Sequence, residues 1–511
     1  MNINYHKLKT GLSSFLLICA VLFVLDSCKK SRSDMGRELY DKTKNKVFKN
    51  VTPEGFQPVF EQMLNDKKSK LNNASTILSW YQQHEYDPVF VMDHLKNDDL
   101  KVLADYLSKA AAHGLDPKIF SAQEYNELLK KFYDKKGIKT TEEAYQDMAK
   151  LEILTANVMI NYSNALQYGI ISPRRIYARY FTKTLRPDST TARGVLQVSN
   201  FRTYLDSIQP KNPQYIALQK ALTQGVTAPG MSKEETERAI KVNLERLRWK
   251  NKPGEAKYVI VNIPAFQLDV MENGHSTLNM KVCVGEGRNK DKENTLVEYD
   301  ESDKVDRPFS RETPQLNSMI YEAQVNPIWN IPQSIVSKEI VEHAKADPYY
   351  LDNNNMEVYH NGQKMDDTEN VDWGSVNLSE YQFKQKPGSD NSLGKIKFLF
   401  PNKSSVYLHD TPAQAPFGWT MRAVSHGCVR LEKPIDLAHS LFGDGPKFSL
   451  VQKLISEDNP HPTDIALAKK VPVYITYVTC WADESGTLQF RPDVYGLDIV
   501  LYGHMQKYLA A

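Results

Sequence analysis

The chain has 511 residues, and its 64 Lys and Arg nearly balance its 62 Asp and Glu. This length exceeds what one hydrophobic core usually serves, so two or three domains are expected. The basic residues are scattered, which excludes the concentrated positive surface of a nucleic-acid-binding protein. We therefore expect a multidomain protein with no nucleic-acid partner.

The N-terminus has the features of a signal peptide. Lys7 and Lys9 precede the apolar run FLLICAVLFVL at residues 15–25. The run is shorter than the roughly 20 residues that cross a bilayer, and a short apolar run after a basic start is typical of a signal-peptide core. Export across the inner membrane is therefore expected.

The signal ends in LDSC, which resembles the lipobox of bacterial lipoproteins. The resemblance implies removal of residues 1–27 and a lipid on Cys28. Asp26 departs from the usual box, which leaves plain secretion and an uncleaved anchor as alternatives. Lys29 and Lys30 replace the aspartate of an inner-membrane retention signal. The expected location is the periplasm, anchored to the outer rather than the inner membrane.

The five cysteines fit an exported protein that does not depend on a disulfide framework. Once Cys28 carries a lipid and Cys19 is cleaved away, three cysteines remain. Cys283 and Cys480 lie in strand-like segments, and either two buried thiols or a bridge between them is compatible with the sequence. Cys428 is unpaired in both cases.

Residues 28–250 are predicted to form an α-helical domain. Apolar residues recur three and four apart, as in LKVLADYLSKAAAHGLDP. One long helix is predicted to end at Gly169, with Pro173 beyond it, and another to end near Pro253.

Residues 255–511 are predicted to form a β-rich domain, because alternation and β-branched residues begin after Gly254. The triplet ENG at 272–274 predicts a hairpin turn, and PIDLAHSLF predicts one helix. A structureless loop as long as 331–386 is unusual in a compact domain. We therefore predict that this segment is an inserted subdomain that acts as a lid.

Cys428 lies in the segment MRAVSHGCVRLEKP, among polar and glycine neighbours rather than aliphatic ones. Nearby cations such as Arg430 favour the thiolate form of cysteine. Arg430 alternates with Cys428 along an extended segment, so both should project from the same face. Cys428 is therefore a candidate nucleophile, and Arg430 a candidate for holding a substrate carboxylate.

His409, in the segment SVYLHDTP, is the candidate base for this thiol. Asp410 is either a turn residue or the group that orients the imidazole. The backbone of Gly427 and Cys428 could offer N–H donors to an oxyanion. Zinc ligation by His409, Cys428, His426 and Asp410 is an alternative, although the spacing lacks the short ligand pairs of structural zinc sites.

The combination of His409 with Ser425, His426, Gly427 and Cys428 resembles the catalytic signature of the L,D-transpeptidases, the YkuD-type cysteine enzymes of bacterial cell walls. The segments AAAHGLDP, VCVGEGR and NLERLRW resemble the large subgroup with an N-terminal scaffold domain and an inserted capping subdomain. The subgroup often carries a small peptidoglycan-binding repeat between these domains, and this chain shows none.

The resemblance implies a scaffold domain followed by a YkuD β-sandwich, and an acyl transfer that needs neither metal nor cofactor. Cys428 would attack the L-centre carbonyl of diaminopimelate in a tetrapeptide stem and release D-alanine. The acyl group would then pass to the side-chain amine of a neighbouring stem. Carbapenems are expected to acylate Cys428.

Other functions remain open from the sequence. Water as the acceptor would make the enzyme an L,D-carboxypeptidase, and a protein acceptor would make it an attaching enzyme. A non-catalytic wall-binding scaffold is an alternative of another class. Trp329, Trp373 and Tyr407 are candidates for a substrate groove, with aromatic core as the competing assignment.

Overall fold

The computed structural model describes residues 34–250, 254–287, 306, 311–457 and 460–510. The predicted signal peptide and Cys28 lie outside the described residues. Among the residues that are described, no helix has both the length and the hydropathy to cross a membrane. Contacts divide the chain into two compact units. The first comprises Met1–Lys109, Pro117–Ser163 and Pro187–Ile208, and the second comprises Ala110–Asp116, Asn164–Arg186 and Gln209–Ala511.

The first unit is helical, as the apolar spacing predicts. The side chain of Glu152 is fully buried in its core, where the carboxylate accepts the N–H groups of Phe90 and Val91 and the hydroxyl of Tyr81. Burial raises the pKa of Glu152 to about 7. The helices with residues in this unit are Met35–Thr43, Pro53–Lys67, Ala74–Gln83, Val89–His94, Asp99–Ser108, Ala122–Tyr133, Thr141–Tyr168, Ser189–Leu196 and Phe201–Ser207.

Two predicted helices have identifiable end signals. Thr141–Tyr168 ends before Gly169, whose φ of +74° is a left-handed conformation that glycine adopts at little cost. Lys233–Arg248 begins with a capping box, in which Ser232 and Glu235 satisfy each other's backbone N–H groups.

The helix Lys233–Arg248 belongs to the second unit, whereas the predicted domain boundary lies near residue 250. Arg246 pairs with Asp498 in the interior of this unit. Glu245, also fully buried, pairs with Arg248 at 2.6 Å and accepts the N–H of Ile171 at 2.9 Å. Arg246 and Glu245 thus join this helix to other parts of the second unit, and separating these contacts would leave buried charges without partners.

The second unit contains further helices and all of the named strands. The other helices are Pro173–Ile176, Pro213–Gln224, Gln333–Ile335, Val341–Ala346, Tyr350–Asn353, Pro434–Phe442, Pro446–Ile455 and Leu497–Ala510, with a π-helical turn at Val336–Ile340. The strands are β1 Lys257–Asn262, β2 Gln267–Glu272, β3 His275–Gly285, β4 Leu316–Val325, β5 Trp329–Asn330, β6 Met356–His360, β7 Gln363–Lys364, β8 Tyr381–Gln385, β9 Ile396–Leu399, β10 Leu408–His409, β11 Ala423–Ser425, β12 Val429–Leu431, β13 Thr463–Thr476, β14 Cys480–Ala482 and β15 Leu488–Phe490.

The main sheet has the strand order β11-β3-β12-β10-β9-β4-β13-β1-β2, and β2 pairs again with β3. The strand β3 therefore connects the two ends of the ladder. The predicted turn between β2 and β3 is present, with Asn273 and Gly274 both at positive φ. Alternate residues of these strands are buried in one core, which includes Val259, Leu408 and Val429.

The segment predicted as an insertion, 331–386, forms a separate sheet together with the two residues before it, in the order β5-β8-β6-β7. Its own core contains Trp373, Val336 and Phe383, with Trp329 packed against it. Trp373 is only 4% exposed, so it is a core residue rather than part of a groove.

Candidate active site

Two adjacent parallel strands, β10 and β12, carry the candidate site. Leu408 pairs with Val429 and His409 pairs with Arg430, and the Val429 N–H donates to the Tyr407 carbonyl at 3.1 Å. Leu408 and Val429 face the core, so the alternate residues share the opposite face. Tyr407, His409, Cys428 and Arg430 therefore form one patch, which we call the catalytic patch.

Cys428 is a free thiol, and the residue as a whole is partly exposed. Burial raises its pKa to about 11, against the opposing effects of hydrogen bonds from Tyr407 and the charges of Arg430 and Lys397. The expectation that this setting favours a thiolate is therefore wrong, because the loss of hydration outweighs the cations. Cys428 is a neutral thiol at neutral pH.

His409 is 4% exposed, and its Nδ1 lies 2.5 Å from the carbonyl oxygen of Asp410. A carbonyl can only accept, so Nδ1 carries the proton and Nε2 has a free lone pair. Burial lowers the pKa of His409 to about 3, with further lowering by the charges of Arg430 and Lys397. The imidazole is therefore neutral and in the tautomer that a base requires.

Tyr407 acts on the Cys428 thiol through its main chain and its hydroxyl, and both lower the pKa of the thiol. No hydrogen bond joins Cys428 to His409 among the described residues. The register places these two residues diagonally across β10 and β12. Such contacts commonly tighten only when substrate binds.

Asp410 stabilises the loop after β10. Its carboxylate accepts the N–H groups of Lys395 at 2.8 Å and Thr411 at 2.7 Å. Burial raises the pKa of Asp410. A side chain at Gly394 would collide with this carboxylate. The imidazole of His409 is thus oriented by the Asp410 carbonyl, and the Asp410 carboxylate has the turn role.

The residues from Ser425 to Cys428 form a tight turn. The Ser425 Oγ donates to the Cys428 carbonyl at 2.6 Å and accepts the Gly427 N–H at 3.1 Å. Gly427 has a φ of +119°, which disfavours any side chain, and its carbonyl accepts from Thr313 Oγ1 at 2.8 Å. The Gly427 N–H is therefore not a free oxyanion donor, contrary to expectation. The Cys428 N–H makes no hydrogen bond to a described residue.

Two family models match these domains. The L,D-transpeptidase catalytic domain, YkuD, matches residues 256–442, which include the whole catalytic patch. The second half of this chain contains a YkuD L,D-transpeptidase domain. A scaffold domain matches residues 75–222. The family resemblance and the order of a helical region before a β-rich catalytic domain are both confirmed.

This chain is also similar to a Haemophilus influenzae protein that carries the provisional name L,D-transpeptidase. The two are 29% identical over 296 residues, which cover 58% of this chain and 55% of that protein. A solved structure of the "Ldtfm-avibactam carbamoyl enzyme" is similar over 48% of this chain and 63% of its own, at 12% identity. Its TM-score of 0.19 is too low for a comparison of the two folds.

In the YkuD domain, His426 contacts the inserted subdomain. Its Nε2 lies 2.6 Å from Glu339 Oε1, and Arg311 donates to the same oxygen at 2.6 Å. Burial acts to raise the pKa of Glu339. The hydrogen bond from His426 and the charge of Arg311 act to lower it and together outweigh burial, so the net shift of the pKa is downward. Glu339 thus connects the π-helical turn of the insertion to the turn that carries Cys428.

Two cations flank His409 on neighbouring strands of the YkuD domain. Arg430 is its partner on β12, and Lys397 is its partner on β9. The Lys397 ammonium lies 5.4 Å from the centre of the Tyr407 ring. Burial lowers the pKa of Lys397, while the nearby Asp464 and Cys428 act to raise it. The patch therefore has a positive field without a positive imidazole.

Sequence reasoning missed Lys397 and Glu339 and favoured a core role for Tyr407. The two-residue spacing of Tyr407 and His409 could have indicated that they share a strand face. Lys397 had no such signal, because its position depends on strand order. Among the described residues, no three His, Cys, Asp or Glu side chains meet as metal ligands, so the zinc alternative has no geometric support.

Proposed function

We propose that the protein is a peptidoglycan L,D-transpeptidase, a cysteine acyltransferase acting on tetrapeptide stems. The observation that carries the proposal is the free Cys428 thiol, which immediately precedes β12 and shares a face with the neutral imidazole of His409 on β10. A thiol and a neutral base on one face are the parts that nucleophilic acyl transfer requires. Arg430 and Lys397 supply positive charge at the same place.

In the acylation half, the Cys428 sulfur attacks the L-centre carbonyl of diaminopimelate in the donor stem. Nε2 of His409 takes the thiol proton as the carbon–sulfur bond forms. The oxyanion is stabilised by the Cys428 N–H and by the nearby cations. The bond to D-alanine then breaks, and His409 returns the proton to the leaving amine. The product is a thioester on Cys428.

In the second half, the side-chain amine of an acceptor stem attacks this thioester. His409 takes the amine proton and delivers it to the departing sulfur, so the free thiol is regenerated. The new amide joins two diaminopimelate residues. Water at the same position would release a tripeptide, which is the carboxypeptidase outcome. A protein amine as the acceptor would be the attaching outcome.

The full chain in detergent, incubated with purified disaccharide-tetrapeptide, tests this function by mass spectrometry. Dimers joined between two diaminopimelate residues, with D-alanine released, are the expected products. Tripeptide without dimers would make the protein a carboxypeptidase. Cys428→Ser should form neither product, and Cys480→Ser, a buried thiol outside the catalytic patch, is the matched control. Full activity in Cys428→Ser would overturn the nucleophile assignment.

A carbapenem provides a second test of the same thiol. Its strained ring carries an activated carbonyl, so the Cys428 sulfur should open the ring and retain the whole molecule as an ester of sulfur. Intact-mass analysis should show one adduct on the wild type and none on Cys428→Ser. A wild type that turns over muropeptides but forms no adduct would count against this expectation.

We further propose that Cys28 carries a lipid that anchors the enzyme in the periplasm, facing the wall from the outer membrane. This proposal rests on the sequence LDSC after an apolar signal core. Metabolic labelling with a radioactive fatty acid should mark the wild type and not Cys28→Ala. A labelled Cys28→Ala protein would contradict it.

A further inference from the structure

A second pocket in the catalytic unit has no role in the mechanism above. It has a volume of about 510 Å³ and lies beside the middle of β3 and the segment 418–422. Lys281, Arg422 and Arg491 line it, and none of its lining residues is acidic. We call it the cationic pocket. Its volume is typical of a site for a small ligand rather than a single ion.

Arg491 presents one unused edge of its guanidinium. Its Nη1 donates to the Phe490 carbonyl at 2.7 Å, and Nη1 and Nη2 both approach Gln489 Oε1 at 3.4 and 3.5 Å. These bonds use the end of the guanidinium that is formed by Nη1 and Nη2. The side edge, formed by Nε–H and one Nη2–H, has no partner among the described residues. Two parallel donors of this kind match the two oxygens of a carboxylate.

The guanidinium of Arg491 is also held in place. It lies over the ring of Trp481, with the central carbon 5.0 Å from the ring centre. Stacking fixes the plane of the fork before any ligand arrives. A donor pair that is already oriented loses less conformational entropy on binding.

Arg422 is the second fixed cation of the pocket. It donates to three main-chain carbonyls, those of Val282 at 3.2 Å, Trp419 at 2.7 Å and Phe266 at 3.0 Å. Neither Arg422 nor Arg491 forms an ion pair with a carboxylate among the described residues. Burial has the largest effect on the pKa of Arg422 and lowers it, whereas Cys283 and the charge of Glu432 act to raise it. The charge of Arg491 lowers it again, so the two guanidinium groups are close enough to repel. An anion between them would relieve this repulsion.

The mouth of the pocket has an apolar side. Trp419 lines this side and is 52% exposed, and no other tryptophan that the structure describes is classed as exposed. Met421 lines the same wall. An exposed indole beside fixed cations suits a ligand that has both an apolar or sugar face and a carboxylate.

We propose that the cationic pocket binds a carboxylate of the acceptor stem peptide, with the side edge of Arg491 as its bidentate donor and Trp419 against the adjoining peptide or sugar. The proposal rests on the proposed function, since only a transpeptidase needs a second stem. Peptidoglycan stems carry several free carboxylates beside their sugars, which matches the chemistry of the lining. Inorganic anions would leave the apolar wall unused.

The position of the pocket fits an acceptor rather than a donor. The donor carbonyl must reach Cys428, which belongs to the catalytic patch. Arg422 leads directly into β11, and β11 leads into the turn from Ser425 to Cys428. The Arg422 side chain is bonded to Val282 of β3, the strand that pairs with β12 beside Arg430. A stem held in the pocket would therefore approach the patch from the β3 side.

Binding can be measured without turnover by titrating the full-length Cys428→Ala chain with disaccharide-tetrapeptide and following tryptophan fluorescence. The difference between this protein and the same chain with Trp419→Phe isolates the signal of the pocket. Arg491→Gln should weaken this binding about tenfold or more, the usual size of a charge-assisted pair. Arg193→Gln, an exposed arginine in a helix of the first unit, should not change it.

Further arms separate the possible sources of the carboxylate. The same muropeptide with its carboxylates amidated should bind the Arg491 protein as weakly as the unmodified muropeptide binds Arg491→Gln. Free D-alanine binding as tightly as the muropeptide would overturn the acceptor assignment, because the pocket would then hold the product. Arg491→Lys keeps the charge but loses the two-donor edge, so it should recover only part of the affinity. Circular dichroism checks that each variant is folded.

The remaining outcomes are decisive as well. Unchanged affinity in folded Arg491→Gln would overturn the proposal. In muropeptide turnover, Arg491→Gln should lower the ratio of dimer to tripeptide, whereas the first-turnover release of D-alanine, up to one equivalent per enzyme, should be unchanged because it precedes acceptor attack. If the wild type shows no turnover at all but the fluorescence titration behaves as expected, the proposed function fails and the pocket stands as a binding site for peptidoglycan carboxylates.

Discussion

The rate at which iodoacetamide alkylates Cys428 should rise about tenfold for each pH unit between pH 7 and pH 10. Only the thiolate reacts, and burial keeps the pKa of this thiol at about 11. At pH 7 the pH is about four units below the pKa, so roughly one thiol in 10⁴ is ionised. An enzyme that rests as a thiolate–imidazolium pair would instead react at a constant rate from pH 6 upward.

His409→Ala separates the two resting states more sharply. The pKa of His409 is lowered to about 3, so the imidazole carries no charge at neutral pH and does not stabilise a thiolate. The alkylation rate of Cys428 should therefore stay within about threefold of wild type, whereas acyl transfer should fall about 10²- to 10⁴-fold through loss of the general base.

Peptide mapping by mass spectrometry after timed alkylation gives the rate for each cysteine separately. Cys283 and Cys480 are buried and serve as internal controls, which should react only after unfolding. A pH-independent rate at Cys428 that collapses in His409→Ala would refute the neutral pair. It would also mean that Arg430 and Lys397 outweigh burial in setting the charge of the thiol.

Three other predictions concern single contacts. Tyr407→Phe removes the hydroxyl that helps to lower the pKa of Cys428. It should slow alkylation at fixed pH about tenfold, the usual size of a hydrogen bond to a charged group, as measured by the same mapping. Glu339→Gln should speed hydrogen exchange in residues 333–346 about fivefold, since a partly exposed ion pair contributes up to about 1 kcal/mol. Glu342→Gln, at an exposed position of the same segment, is the control. Equal effects of the two substitutions would exclude a special role for Glu339. Glu152 holds a proton in the folded state up to about pH 7, whereas the unfolded chain loses this proton near pH 4.5. The free energy of unfolding should therefore fall by up to about 3 kcal/mol as the pH rises from 4.5 to 7. Thermal melts should show that slope in wild type and not in Glu152→Gln.

Features set by a few neighbouring residues could be predicted from the sequence. Asn273 and Gly274 both adopt positive φ, as the ENG triplet requires. Gly169 ends the long helix because it accepts a left-handed conformation that other residues resist. The alternation of Cys428 with Arg430 placed both on one face. Each of these depends on local backbone preference and not on distant partners.

Features set by strand order could not be predicted. Lys397 lies beside His409 only because β9 and β10 are neighbours, and nothing within the segment KIKFLF indicates that pairing. The insertion was read as helix followed by polar chain, yet β6 and β8 pair across it. Polar residues such as Gln382 and Lys384 alternate with Tyr381 and Phe383, so the strand pattern was present but was outweighed by overall polarity.

The charge of the thiol was misjudged for a different reason. Cations near a cysteine can be counted in a sequence, whereas the depth of the sulfur in the fold cannot. Arg430 and Lys397 do lower the pKa of Cys428, as expected from their charge, but burial has the larger effect. Sequence patterns therefore indicated the sign of the local field correctly and left out the cost of desolvation.

The same two cations act in opposite directions on the two partners of the proton transfer. They favour a thiolate at Cys428, and they disfavour an imidazolium at His409. A preformed ion pair gains little from them, because the gain at sulfur is offset by the loss at the ring. Once a substrate carbonyl is attacked, the negative charge moves to its oxygen. Positive groups that are fixed in advance then stabilise the transition state more than the resting state, which is the condition for catalysis. In the proposed mechanism, Arg430 and Lys397 would therefore stabilise the oxyanion rather than a resting thiolate.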